Sequence, residues 1–209
     1  LATLAGGSLI AMLVATGVVA MLHAPRTFLA YAVAVVLFLS VVAPRLPRAN
    51  LEEAVASVAF FNDEAEPTAR YPEWQAGVYM TLENPWLGIG IGNYQRNIGG
   101  YYGILPSENQ KSEADSQNLY LVLGSSLGLP GLLLFLGLLL QFGRTSLLAW
   151  RDATEPGERG LALGLLGAAI GFGVNAIWAP LLVRGIGLAL ALLIALAWGQ
   201  FRQKTEGGT

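Results

Sequence analysis

The residues best suited to chemistry stand where a polar segment runs into an apolar one. Asp115, Ser116, Gln117 and Asn118 directly precede an apolar run that begins at Leu119. Asp115 or Ser116 is a suitable N-cap for a helix that starts there. The first N–H groups of a helix also attract anions, notably phosphates. The pattern therefore predicts either an ordinary cap or an anion-binding helix start.

Three further polar residues lie in or beside apolar runs. Arg184 falls between two of them, where a charge is costly, so it marks either a functional site or an anchor that reaches the membrane surface. Asn175 is predicted to form an interhelical hydrogen bond or to line a cavity. His23, the only histidine, lies in a predicted turn on the opposite face. A histidine-centred triad or metal site is thereby excluded within this sequence.

Three alternating glycines, Gly88, Gly90 and Gly92, invite comparison with a phosphate-binding loop. A dinucleotide fingerprint needs a different spacing, and a P-loop needs a following Gly-Lys-Ser or Gly-Lys-Thr, which is missing here. The glycines instead predict a tight turn whose backbone packs close to the rest of the protein.

The stretch after this turn contains several tyrosines. Residues 97–111 combine glycine, proline and polar residues, which is typical of an irregular loop. Tyr94, Tyr101 and Tyr102 are expected to anchor the chain at the lipid headgroups or to stack on sugar rings.

Composition indicates the class of protein that must position these residues. Hydrophobic residues make up 54% of the 209 residues and charged residues 12%, whereas soluble domains have about 25% charged residues. Lipid-exposed spans this long must be helices. We therefore predict an all-α, polytopic integral membrane helix bundle, a single membrane domain over 1–209, with about five transmembrane helices in apolar runs of near-bilayer length: 1–22, 27–43, 119–142, 161–179 and 185–201.

The long polar segment, residues 45–118, carries most of the acidity of the chain. Between Asn50 and Gln117 there are ten acidic and three basic residues. Basic residues in short loops mark the cytoplasmic side. We therefore predict an extracytoplasmic segment and a cytoplasmic C-terminus, with six basic residues in the cytoplasmic turns and tail: Arg26, Arg144, Arg151, Arg159, Arg202 and Lys204. Because Leu1 already lies inside an apolar run, the sequence is expected to be the C-terminal part of a longer protein.

Within the long segment, residues 70–83 have the pattern of a short amphipathic helix. Pro72 suits a first helical position, and Trp74, Val78 and Leu82 recur at the spacing of one helix face. The following Asn-Pro ends the run. This helix is predicted to lie against the membrane or the bundle.

An ordered set of motifs covers the long segment and the third apolar run. The set comprises Arg70 with Trp74, then Asn84-Pro85-Trp86-Leu87-Gly88-Ile89-Gly90-Ile91-Gly92-Asn93-Tyr94, then Asn118-Leu119-Tyr120-Leu121, then Leu127-Gly128-Leu129-Pro130-Gly131-Leu132. In this order they resemble the O-antigen ligase and O-antigen polymerase family of bacterial membrane glycosyltransferases. Outside this region the similarity is one of hydropathy and helix order.

The resemblance implies that a glycan moves from an undecaprenyl-diphosphate carrier to an acceptor hydroxyl at the outer face of the bacterial inner membrane. The partners would be the lipid-linked donor, a glycan, lipid or protein acceptor, and membrane lipids, without nucleic acid. No cofactor, nucleotide sugar or metal is expected. The family's loop arginine corresponds to Arg70, and with it Trp74, Asn118, Tyr120 and Arg184 are expected to bind substrate.

One position departs from the family pattern. Members commonly carry histidine directly before the Asn-x-Tyr element, where this chain has Gln117. Glutamine orients a hydroxyl by hydrogen bonding but cannot act as a base. Either Asp115 or Glu113 supplies the base, or stabilisation of the leaving group dominates, or the activity is different or lost.

Two alternatives to an enzyme follow from the same residues. A transporter or permease portion predicts polar groups along a path through the membrane, and apart from Asn175 the runs contain almost none. The second alternative is an inactive homologue that binds lipid-linked glycan, and Gln117 favours this interpretation.

Overall fold

The computed structural model describes residues 6–42, 71–101, 118–179 and 186–206. Within these ranges the protein is all-helical, without strands. The predictions at Arg70, Tyr102, Glu113, Asp115, Gln117 and Arg184 lie outside the described residues. The seven described helices are α1 (Gly6–His23), α2 (Pro25–Val42), α3 (Tyr71–Glu83), α4 (Tyr94–Tyr101), α5 (Leu119–Asp152), α6 (Pro156–Asn175) and α7 (Ile186–Glu206).

Each predicted apolar run corresponds to one helix. By length and composition α5 and α6 are long and apolar enough to cross a membrane, and the apolar parts of α1, α2 and α7 are shorter. Large apolar side chains face outwards, with exposed fractions of 66% at Leu29, 76% at Leu134 and 69% at Leu188. Such surfaces suit a hydrocarbon solvent. The number of five spans stays a prediction.

Helix α1 packs against both α2 and α6. The Tyr31 hydroxyl on α2 donates to the Leu13 carbonyl on α1 at 2.7 Å. On the other side, the Ser8 hydroxyl donates to Oδ1 of Asn175 at 3.0 Å, which confirms the predicted interhelical role of Asn175.

The described parts of α5, α6 and α7 share one apolar core. Phe142 on α5 is buried against Leu165 and Ala169 on α6 and against Leu190 and Ala197 on α7. Small and large residues meet here, which lets the helices approach closely.

Helix α5 is not the continuous rod that its apolar run predicts. Gly128 has φ 72° and ψ −178°, which interrupts the helix. Only glycine adopts this backbone conformation at little cost, and Pro130 two residues later cannot continue a helical hydrogen-bond pattern. The break divides α5 into a short part, residues 119–127, and a long part, residues 129–152.

Helix α4 replaces part of the irregular loop predicted from Asn97 onwards. Tyr94 and Ile98, four residues apart, are buried against Ala76 and Met80 of α3. This core packs α4 against α3, and the burial outweighs the tendency of Gly99 and Gly100 to form a loop. For Tyr94, both the headgroup anchor and the sugar contact were wrong, because the side chain is only 5% exposed.

Candidate functional site

Helix α3 begins within one residue of its predicted start and ends where predicted, at Glu83. The face that packs inwards is different from the predicted stripe. Ala76 and Met80 are fully buried, whereas Val78 is 43% and Leu82 64% exposed. The inward face packs on α4 and on the short part of α5, whereas Val78 and Leu82 remain partly exposed beside it.

The turn after α3, residues 84–93, docks on the break in α5. Together these contacts join two segments that are about 40 residues apart in sequence. Three backbone hydrogen bonds form the contact: Ile89 N–H to the Ser125 carbonyl at 2.8 Å, Gly90 N–H to the Ser126 carbonyl at 3.0 Å, and Leu129 N–H to the Pro85 carbonyl at 2.7 Å.

Proline chemistry explains one of these bonds. In a continuous helix the Ser126 carbonyl would accept a hydrogen bond from residue 130. That residue is Pro130, which has no N–H to donate. The Gly90 N–H takes its place, so a carbonyl that the proline leaves without a partner inside the helix is satisfied by the docked turn.

Two glycines allow the backbones to approach this closely. A Cβ atom on Gly88 would lie 2.6 Å from the Ser125 carbonyl oxygen, and one on Gly128 would lie 2.5 Å from the Trp86 carbonyl oxygen. Both glycines also have positive φ, 63° and 72°. The predicted close packing of the glycine turn is confirmed, and its partner is the second glycine motif.

The start of α5 is capped by Asn118, and not by Asp115 or Ser116 as predicted. Asn118 has extended backbone angles, and its Oδ1 accepts hydrogen bonds from the N–H groups of Tyr120 at 3.0 Å and Leu121 at 3.2 Å. An N-cap residue directly precedes the helix, so its side chain can accept hydrogen bonds from the N–H groups of the first turn. Asn118 is 7% exposed.

The same helix start also meets the end of α6. The Leu119 N–H donates to the Ala176 carbonyl at 2.8 Å, and the Tyr120 hydroxyl donates to the Gly173 carbonyl at 2.6 Å. The positive end of one helix dipole thus contacts the negative end of another. Since Val122 N–H bonds the Asn118 carbonyl, the first N–H groups of α5 all have protein partners. The predicted phosphate site at these N–H groups is therefore wrong.

An apolar cleft lies between α3 and the first turns of α5. Its volume is about 130 Å³. Gly124 and Thr81 approach closely at its base, and the Thr81 hydroxyl donates within α3 to the Gly77 carbonyl. The cleft therefore offers hydrocarbon contacts, since its lining consists of Val78, Thr81, Leu82, Tyr120, Leu121, Gly124 and Leu132.

A polar contact joins the end of α3 to α4. The Tyr101 hydroxyl of α4 donates to a carboxylate oxygen of Glu83 at 2.8 Å. This hydrogen bond, with some burial, raises the pKa of Tyr101 above its ordinary value. The tyrosine thus ties α4 to the end of α3. Among the described residues no group of histidine, cysteine or carboxylate side chains is arranged to hold a metal.

Residues 1–136 match the family model of the O-antigen ligases. The chain belongs to the O-antigen ligase family. The match includes α1 and α2, where the sequence showed only a similarity of hydropathy, and it ends inside the long part of α5. A comparison with proteins of curated function found no match.

The structure brings some of the residues expected to bind the ligase substrate together. Asn118 and Tyr120 share the first turn of α5 at the end of α6. Trp74 is half-buried on α3, which packs on the same part of α5. Arg70 and Gln117 directly precede Tyr71 and Asn118 in sequence, and with Asp115 and Arg184 they lie outside the described residues.

Two features of this O-antigen ligase family member escaped prediction. The first is the contact between the two glycine motifs. Pro130 could have indicated it, because this proline leaves the Ser126 carbonyl without a donor in the helix. The other was Glu73, a carboxylate only 2% exposed in the first turn of α3. Its position in the sequence does not distinguish Glu73 from an acidic residue that is exposed to water.

Proposed function

We propose that this O-antigen ligase family member transfers a glycan from an undecaprenyl-diphosphate carrier to an acceptor hydroxyl at the outer face of the bacterial inner membrane. The family match over residues 1–136 carries the proposal. In this arrangement the chain spans the membrane five times, residues 45–118 are extracytoplasmic and the C-terminus is cytoplasmic. The donor is a lipid-linked oligosaccharide, and the acceptor is a glycan, a lipid or a protein.

In the proposed reaction the acceptor oxygen forms a bond to the anomeric carbon while the bond from that carbon to the diphosphate oxygen breaks. The lipid diphosphate leaves with the bonding electrons. Arg70 and Arg184 stabilise its charge, since guanidinium groups bind phosphate oxygens in a bidentate manner. Asp115, or Glu113 in its place, accepts the proton of the acceptor hydroxyl.

The acceptor is oriented by hydrogen bonds in this proposal. Gln117 and Asn118 carry amide groups that both donate and accept. Trp74 and Tyr120 contribute aromatic surface, which suits the apolar face of a sugar ring. Support comes from the fold, because the helix that follows Arg70 packs against the helix that follows Gln117.

Two of the buried hydroxyl groups of α5 favour an enzyme over a transporter portion. Ser125 donates to the Leu121 carbonyl at 2.7 Å, and Ser146 donates to the Phe142 carbonyl at 2.9 Å. Both groups are satisfied within their own helix and offer no polar path across it. These buried positions of α5 therefore serve helix packing and not a polar path.

The role of Arg70 is tested by substitution in proteoliposomes that contain the full-length protein and a lipid-linked oligosaccharide. Arg70→Ala is expected to lower transfer on the order of 10²-fold, the usual loss when one preorganised donor to a developing charge is removed. Arg70→Lys retains the charge without the bidentate geometry and is expected to be intermediate. Product formation on the acceptor is measured at equal protein levels.

The matched control is Arg96→Ala, which removes an exposed arginine of α4 from the same segment. It is expected to retain transfer. Full transfer by Arg70→Ala would rule out the proposed role. A wild-type protein that binds labelled donor but forms no product would instead support the second candidate, a glycan-lipid-binding homologue, for which Gln117 is the motivating residue.

A further inference from the structure

The turn that docks on α5 exposes an unusually apolar surface. Three of its large side chains are almost fully exposed: Trp86 at 77%, Leu87 at 86% and Ile91 at 82%. Leu82, at the end of α3, adds a side chain that is 64% exposed. Four large apolar side chains within ten residues form a patch that water solvates poorly.

The backbone of the turn prevents these side chains from turning inwards. It is held to the α5 break by the three hydrogen bonds and by the close approach at Gly88 and Gly128. Because both segments have fixed backbones, the apolar side chains project from a rigid platform. Their exposure is a property of the fold and not of a loosely packed loop.

The surroundings of the patch indicate what covers it. The long part of α5 begins at the docked turn, and its outward leucines continue the apolar surface, with Leu129 at 44%, Leu133 at 65% and Leu134 at 76% exposed. Residues 84–91 contain no charged side chain, so that placing them in a low-dielectric medium desolvates no charge. Tryptophan is also enriched at the boundary between hydrocarbon and headgroups.

The position of the break along α5 agrees with membrane depth. The first charged residue after it, Arg144, follows Gly128 by 16 residues, or about 24 Å of helix. The hydrocarbon core is about 30 Å thick. With Arg144 at the cytoplasmic boundary, Gly128 and the docked turn lie near the opposite boundary, on its hydrocarbon side. Backbone groups at that depth need protein partners, which the turn provides.

From these observations we propose that residues 84–91 form a wedge that enters the outer leaflet of the bilayer, with Trp86, Leu87 and Ile91 in contact with lipid acyl chains and Leu82 at its edge. This part of the long acidic segment thus lies in lipid, within a segment that was predicted as a whole to be extracytoplasmic. The wedge holds α3 at the membrane boundary, and Leu82 links it to the apolar cleft beside α5.

Single cysteines test the wedge, since the chain has no cysteine of its own. Leu87→Cys and Ile91→Cys, in the full-length protein in lipid vesicles, are labelled with an environment-sensitive fluorophore. Both labels are expected to lose fluorescence to a lipid nitroxide near the top of the acyl chain and to be protected from aqueous iodide. Gln95→Cys, on the exposed side of α4, is the matched control and is expected to show the reverse.

Iodide quenching at positions 87 and 91 equal to that at position 95 would overturn the proposal. Protection from both quenchers would also overturn it, because a protein surface and not lipid would then cover the patch. The measurement does not depend on glycan transfer, so its outcome is separate from that of the Arg70 experiment.

Discussion

Asn118 shows how one side chain is divided between structure and chemistry. Its Oδ1 accepts two hydrogen bonds from the first turn of α5, and it is therefore committed to the helix. Only the amide nitrogen is chemically suited to donate to an acceptor hydroxyl in the proposed reaction. The two atoms can be separated experimentally, because aspartate retains the capping oxygen and lacks the amide donor.

Substitution of Asn118 is expected to affect stability and transfer differently. Asn118→Ala removes the cap and is expected to destabilise the protein by about 1 kcal/mol. Asn118→Asp keeps the cap, with a negative charge that the helix start favours, and is expected to retain stability but lose transfer. Thermal unfolding of the purified protein is compared with product formation. Wild-type transfer by Asn118→Asp would limit Asn118 to its structural role.

At the scale of elements, the turn after α3 and the break in α5 act as one unit. Each segment supplies what the other lacks: the turn donates to carbonyls at the break, and the break donates to the Pro85 carbonyl. The break depends on the turn, since without it the Ser126 carbonyl would have no donor.

The break is tested by adding one methyl group. Gly128→Ala places a Cβ against the Trp86 carbonyl in a backbone conformation that alanine disfavours, with an expected cost of at least 1–3 kcal/mol, about what backbone strain alone contributes. Gly137→Ala changes the same helix where no atom lies within 4 Å, and its expected effect is neutral or slightly stabilising. Thermal unfolding in detergent measures both. Equal unfolding temperatures would contradict the role of the break.

Sequence patterns predicted the parts of this region that depend on local chemistry. The ends of α3 followed from Pro72 and Asn84-Pro85, which act on their own backbone. The buried face of α3 did not follow, because Ala76 and Met80 are chosen by α4 and α5, which are distant in sequence. For the same reason residues 97–101, the described part of the predicted loop, were not recognised as helical, and the N-cap was placed two or three residues too early.

At the scale of the whole molecule, the family match and the helix bundle cover different parts of the chain. The match ends at residue 136, but the start of α5 is capped on the end of α6, which lies beyond it. Helix α6 is held in turn by α1, through Ser8 and Asn175 and through close contacts at Gly167 and Gly171. The bundle thus supports the candidate site through α6, in addition to the support from α3.

The contact between α6 and α1 can be tested at two glycines of α6, one inside the contact and one outside it. A Cβ on Gly167 would lie 2.9 Å from Val19 of α1, whereas Gly164 has no atom within 4 Å. Gly167→Leu is therefore expected to separate the helices and lower the unfolding temperature, while Gly164→Leu is expected to leave it unchanged or raise it. A lowered unfolding temperature in both variants would indicate that the contact with α1 is not the cause.

The docked turn has a consequence for how the protein enters the membrane. Residues 84–93 precede α5 in the chain, so they leave the ribosome before the break that they satisfy. Until the two meet, the carbonyl at Ser126 has no donor and the apolar turn has no platform. Formation of this region is therefore ordered: the turn is synthesised first, and the arrival of Gly128 and Pro130 completes both segments in one event.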